Sequence, residues 1–143
     1  MIYTSMTKKA LKLCFEAHKD QTDKSGMPYV FHSFHLAEQM TDENTTIVAL
    51  LHDVVEDTDT TIDDLRAMGF CETVLQAIAK MTHDPAVPYM DYVAEIKTDP
   101  IARVVKLADL RHNSDATRLE TLSPWDVARA EKYQRAIALL ESE

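Results

Sequence analysis

The sequence predicts an all-α fold, and three observations carry that reading. Only two glycines, Gly26 and Gly69, and five prolines punctuate 143 residues. Apolar residues recur at intervals of three and four over most of the chain. Asp99-Pro100 and Ser123-Pro124 each pair an N-cap residue with a proline suited to the first helical position. Taken in order, Ala10, Leu13, Cys14 and Ala17 form a first helical stripe ending near His18, and the polar stretch Asp20 to Tyr29, broken by Ser25-Gly26 and Pro28, reads as a loop. A short helix follows from about Phe31 to Met40. Asn44 or Thr45 is expected to cap the next, which reads IVALLHDVVED over Ile47 to Asp57 and, being apolar nearly all round, should be the buried central helix. Thr61 with Asp64 resembles a capping box for a helix through Met68, stopped by Gly69, and Cys71 to Met81 supplies another. Pro85 and Pro88 enforce a loop before a helix over Tyr89 to Thr98. Asp99-Pro100 then opens a helix to about Asn113, with a short strand over Arg103 to Leu107 as the alternative. The last helix starts at Ser123-Pro124 and carries Val127, Ala130, Tyr133, Ile137 and Leu140 as its core-facing stripe.

A length of 143 residues with 45% hydrophobic and 27% charged residues describes one domain, residues 1–143, which buries roughly two thirds of its unfolded-chain surface. The net charge of -9 argues against non-specific binding to nucleic acid or to an anionic membrane. No apolar run approaches the roughly 18 residues of a membrane span, and Met1 to Leu13 lacks the apolar core of a secretory signal, so a cytoplasmic location is expected. Cys14 and Cys71 suggest reduced, half-buried packing thiols. Two distant glycines exclude the glycine-rich phosphate cradles GxxxxGK and GxGxxG. Phosphate chemistry, if present, then needs a metal and side chains.

The central anomaly is His52-Asp53 inside that apolar run, because burying an imidazole and a carboxylate there costs several kcal/mol unless they are paired or metal-bound. Helical spacing puts His52 with Glu56 and Asp53 with Asp57 on two neighbouring stripes. The bland alternative is incomplete burial, with Glu56-Asp57-Thr58-Asp59 a solvated helix end. KLADLRHN, Lys106 to Asn113, sets Asp109 and Asn113 on one helical face, where Asp109 would otherwise simply pair with Arg111, Lys106 or Arg103. A further histidine stands at His32, although spacing alone does not choose among His32, His35 and His18. His83, in a proline-flanked loop, is expected to face solvent, and His112 to stand behind the ligands.

The strings AHKDQTDKSGMPYVFH, LLHDVVEDT and VKLADLRHN, in this order between about Leu11 and Leu119, resemble the HD-domain phosphohydrolase superfamily, and more narrowly the (p)ppGpp hydrolase domain of RelA/SpoT-type enzymes and their short stand-alone relatives. The resemblance implies a helical HD domain whose metal is held by His32, His52, Asp53 and Asp109, with His32 selected as the histidine after the Pro-Tyr pair. Two imidazoles and two carboxylates suit Mn²⁺ or another divalent transition ion, which would lower the pKa of a bound water and polarise a phosphoryl oxygen. Glu56 and Asp57 match the family's acidic pair and are implied to activate water and manage the leaving-group proton, their mutual repulsion separating the two pKa values. Lys24, Tyr29 and Asn113 match positions near the nucleotide pocket.

Three departures bear on specificity. Asp23 stands where the larger relatives usually carry arginine, Ser33 replaces the proline after the metal-binding histidine, and Leu110-Arg111 displaces by one the basic residue after the metal-binding aspartate. The expectation is therefore a metal-dependent hydrolase of a small-molecule nucleotide, (p)ppGpp leading, with another nucleotide or phosphate ester, or a catalytically silent nucleotide sensor, as alternatives. A (p)ppGpp synthetase domain has no room in this length, and a homo-oligomer is compatible with so short a chain.

Overall fold

Ten consecutive residues, Thr45 to Val54, are buried, and the helix that contains them is the one around which the others pack. The structure, a computed structural model, describes residues 1–143 as eight helices: α1 (Ser5–His18), α2 (Val30–Glu38), α3 (Glu43–Asp57), α4 (Ile62–Ala67), α5 (Glu72–Met81), α6 (Tyr89–Lys97), α7 (Pro100–Asn113) and α8 (Pro124–Glu141). Helix α3 touches α1, α2, α5 and α7, and α8 closes the far side against α6 and α7. Val48, Leu50, Leu51 and Val54 are fully buried. Each such side chain contributes about 1.5–3 kcal/mol on burial, enough together to offset the several kcal/mol that the buried His52 and Asp53 of the same helix cost.

Most helix starts follow the local chemistry. Thr61 and Ser123 form capping boxes with Asp64 and Asp126, and the Asp99 carboxylate accepts from the Ile101 and Ala102 amides ahead of Pro100. Helix α4 ends in a Schellman motif: Gly69, at φ +98°, donates to Arg66, Phe70 donates to Leu65, and both apolar side chains are buried. The cap of α3 is Asp42 rather than Asn44 or Thr45. Its Oδ1 accepts from both the amide and the hydroxyl of Thr45, so the helix starts one turn earlier than its apolar run. Arg103 to Leu107 is helical, and the lone β-type pairing is the bridge between Thr22 and Pro28 in the α1–α2 loop.

Three expectations need correction. Val127 is 52% exposed, because α8 buries only Ala136 and Leu140, toward its C-terminal end, while its first turn holds Trp125 and Val127 in solvent. Cys71 is exposed at the start of α5, whereas Cys14 is buried. His83 is half-buried, its Nε2 on the Val87 carbonyl at 2.9 Å and its ring against Tyr92 and Tyr89. No helix is long and apolar enough to cross a membrane.

Candidate metal centre and adjoining cavity

Helices α2, α3 and α7 meet at their most polar buried points, where α2 brings His32, α3 brings His52 and Asp53, and α7 brings Asp109, all four buried. Donor atoms of His32, His52 and Asp109 lie within 4.8 Å of one another. Asp53 Oδ2 stands beside them, 3.2 Å from His52 Nε2 and 4.0 Å from His32 Nε2, and His32 Nε2 is 2.9 Å from Asp109 Oδ1. Atoms sharing one ion at roughly 2.1 Å lie about 3.0 to 4.2 Å apart, so these separations fit a common divalent ion. Of the three histidines, His32 is the one that lies in the cluster: His35 is exposed, and the buried His18 bonds Gln21 at 2.8 Å.

His52 supplies the most direct test of fit. Its Nδ1 donates to the Ala49 carbonyl at 3.0 Å, and its buried Nε2 faces Asp53 Oδ2 at 3.2 Å but makes no hydrogen bond of good geometry. An orphaned buried ring nitrogen facing carboxylates is what a ligand position looks like without its ion. Burial is the largest influence on the His52 pKa and pushes it down, but the neighbouring Asp53 carboxylate and the Asp109 charge together outweigh it and hold the value at about 9, while His52 in turn keeps Asp53 below the usual carboxylate range despite its burial. An ion bound through Nε2 must therefore displace a proton. Mn²⁺ affinity is expected to rise about tenfold per pH unit from 6.5 to 8.5, with about one proton released, as calorimetry in buffers of different ionisation enthalpy reads. A pH-independent affinity would contradict this assignment. In metal-free protein the raised His52 pKa contributes stability that is complete below about 6.5, the ordinary histidine value, and is lost as pH rises through about 9.

Behind the donors stands a set of outer partners. Tyr29 donates its hydroxyl to Asp53 Oδ2 at 2.7 Å, and burial followed by the Asp53 charge keeps that phenol protonated. Asn113 donates to Asp109 Oδ1 at 3.1 Å and accepts from Arg118, so its amide is oriented from both ends. His112 stacks on His32 with ring centroids 4.9 Å apart and places Nδ1 2.7 Å from His32 Nδ1. Burial first, then Arg118 and the neighbouring histidines, lowers the His112 pKa to about 4, so it stays neutral at pH 7 and accepts the Nδ1 proton once His32 Nε2 serves as ligand. His112→Phe, which keeps the stack and loses the bond, is expected to weaken Mn²⁺ binding about 10- to 100-fold with the melting temperature nearly unchanged, measured by calorimetry and thermal melts.

Glu56 and Asp57 project from the exposed end of α3 on either side of Asp53. The pKa of each is raised by burial first and by the Asp53 charge second, rather than by mutual repulsion. Glu56 faces Lys106 and His83, whereas Asp57 faces His18 and accepts from Gln21 at 3.3 Å. The two acids thus occupy different sides of the centre.

A cavity of about 280 Å³ adjoins, lined by Lys24, Tyr29, Asn113, Arg118, Arg129 and Tyr133 among others. The Lys24 ammonium sits 3.9 Å from Asp126 and 4.5 Å over the Trp125 ring, and Arg129 pairs with Asp126 at 3.0 Å. Asp23 accepts from the Ser25 and Met27 amides and faces Arg118 at 3.6 Å, so the loop anion is answered by a cation from beyond α7. Arg118 and Arg129 escaped sequence reasoning because no motif surrounds them. Tyr133, which the apolar stripe of α8 places toward the core, also lines the cavity, and its hydroxyl is the sequence signal that one end of the side chain needs a polar setting.

The HD domain family model matches residues 10–138. The chain belongs to the HD domain family. This HD domain is 34% identical over 134 residues to the mouse protein named guanosine-3′,5′-bis(diphosphate) 3′-pyrophosphohydrolase MESH1, a match covering 83% of this chain and 74% of that one. It is 32% identical over 139 residues to the Aquifex aeolicus guanosine-3′,5′-bis(diphosphate) 3′-pyrophosphohydrolase, a match covering 89% of this chain but 19% of that longer protein. A solved structure, described as a metazoan ortholog of SpoT that hydrolyzes ppGpp and plays a role in starvation responses, superposes with a TM-score of 0.82 over 99% of this chain and 89% of that one. At 22% identity that likeness bears on the fold. The eight-helix arrangement is thus an HD fold, and its His/Asp cluster is the family's kind of divalent-metal donor set.

Proposed function

We propose that this HD domain is a metal-dependent phosphohydrolase of nucleotides that removes the 3′-diphosphate of (p)ppGpp. The observation that carries the reading is the convergence of two imidazoles and two carboxylates from three helices beside a cation-lined cavity. Names of relatives at 34% and 32% identity support the substrate.

His32, His52, Asp53 and Asp109 would hold the ion, and this mixed nitrogen and oxygen set suits Mn²⁺. A divalent ion there supplies a Lewis acid for a phosphoryl oxygen and lowers the pKa of a coordinated water. The remaining steps belong to side chains. Tyr29 and Asn113 lock Asp53 and Asp109 in place, and His112 fixes the ring of His32. Glu56 and Asp57, both more basic than ordinary carboxylates, take the proton from the attacking water and deliver one to the departing oxygen. Lys24, with Arg118 and Arg129, offsets nucleotide phosphate charge at the cavity. In the balanced reaction ppGpp and water give GDP and pyrophosphate.

The test is purified protein with Mn²⁺ against ppGpp, NADPH and a nucleotide panel, with products separated by ion-exchange chromatography. GDP and pyrophosphate in equal amounts are expected from ppGpp. Intact ppGpp beside turnover of another ester would move the substrate, and tight ppGpp binding without product over hours would make the domain a sensor.

A further inference from the structure

Lys106 is the cation that faces Glu56, and its ammonium is also in direct contact with the donor cluster. It lies on α7 one turn before Asp109, is 13% exposed along its side chain, and donates to Asp109 Oδ2 at 2.9 Å. The Tyr92 ring lies 5.5 Å away on its other side, and Tyr92 itself is anchored through its hydroxyl to the Met81 carbonyl at the end of α5. The other oxygen of the same carboxylate, Oδ1, faces His32 Nε2 at 2.9 Å and accepts from Asn113. The two oxygens of Asp109 are thus divided, one turned toward the donors and the other held by the lysine.

Lys106 compensates the buried Asp109 charge in the metal-free protein, and removing it alone leaves that carboxylate uncompensated until a divalent ion binds, while the Tyr92 ring on its other side would accept a methionine side chain. A carboxylate ligates a divalent ion through one oxygen or through both. Chelation by both would use a position that water or a phosphoryl oxygen needs.

We propose that Lys106 is a positioning residue that restricts Asp109 to single-oxygen ligation by engaging Oδ2, and so keeps a position on the ion open. The inference rests on the metal site of the functional reading above, and on no particular substrate.

The experiment compares wild type, Lys106→Met and Lys106→Arg by Mn²⁺-soaked crystal structures, Mn²⁺ calorimetry and steady-state kinetics. Wild type and Lys106→Arg should bind the ion through one Asp109 oxygen. Lys106→Met should bind it through two, with Mn²⁺ affinity equal or tighter. In Lys106→Met kcat should fall about 10- to 100-fold with KM little changed, and Lys106→Arg should recover most of that loss. Two-oxygen ligation in wild type overturns the proposal even if the methionine variant does not fold. One-oxygen ligation in Lys106→Met, or loss of its Mn²⁺ binding, overturns it as well. Wild type that binds Mn²⁺ through one oxygen yet leaves ppGpp intact defeats the substrate assignment and leaves Lys106 standing.

Discussion

Asp53→Ala is expected to lower Mn²⁺-dependent turnover by a factor on the order of a thousand or more, the largest effect of any single substitution in this protein. Asp53 combines three roles at one point. It is one of the four proposed donors, its charge helps hold the His52 pKa up against burial, and its Oδ2 receives the Tyr29 hydroxyl. Removing the carboxylate leaves that half-buried hydroxyl without its partner, at a cost of about 1 kcal/mol in the metal-free protein. The helical signal should nevertheless persist, because the core of Val48, Leu50, Leu51 and Val54 is untouched. The check is kcat/KM with saturating Mn²⁺ beside a thermal melt, and undiminished activity would remove the proposed centre from the chemistry.

Glu56→Gln and Asp57→Asn are each expected to reduce kcat about 10²- to 10⁴-fold while leaving Mn²⁺ binding within a few-fold of wild type. Neither belongs to the donor cluster, and both are exposed on the last turn of α3. The pH profile separates their roles. Burial and the Asp53 charge raise both pKa values above the usual carboxylate range, so a residue acting as base loses function as pH falls through that raised value. A residue acting as acid loses function as pH rises through it. The substitution that abolishes the acidic limb of kcat identifies the base, and the one that abolishes the alkaline limb identifies the acid.

Helix existence was legible in the sequence because it depends on local chemistry: period, caps and two glycines. The buried status of His52 and Asp53 was legible for the same reason, since a helix apolar nearly all round has no solvent-facing side on which to place them. What lay beyond sequence was relative placement. The spacing of His18, His32 and His35 along the chain does not say which ring turns toward α3, and the packing of α1 and α2 on α3 decides it. Glu56 and Asp57 are adjacent in sequence, yet a 100° step along the helix sends one toward Lys106 and the other toward His18, so their pKa values respond to Asp53 rather than to each other. Tyr29, expected near the nucleotide pocket, lines the cavity and also donates to Asp53, because the loop between α1 and α2 folds its ring against His18 and His32. The Asp23–Arg118 pair joins segments 95 residues apart, and no local pattern encodes it.

The most direct measurement is an anomalous difference map at the manganese edge from a crystal of the intact protein soaked in Mn²⁺. The account requires one strong peak in contact with His32 Nε2, His52 Nε2 and one oxygen from each of Asp53 and Asp109. A map with no peak there, or with manganese bound only at surface carboxylates, would contradict it.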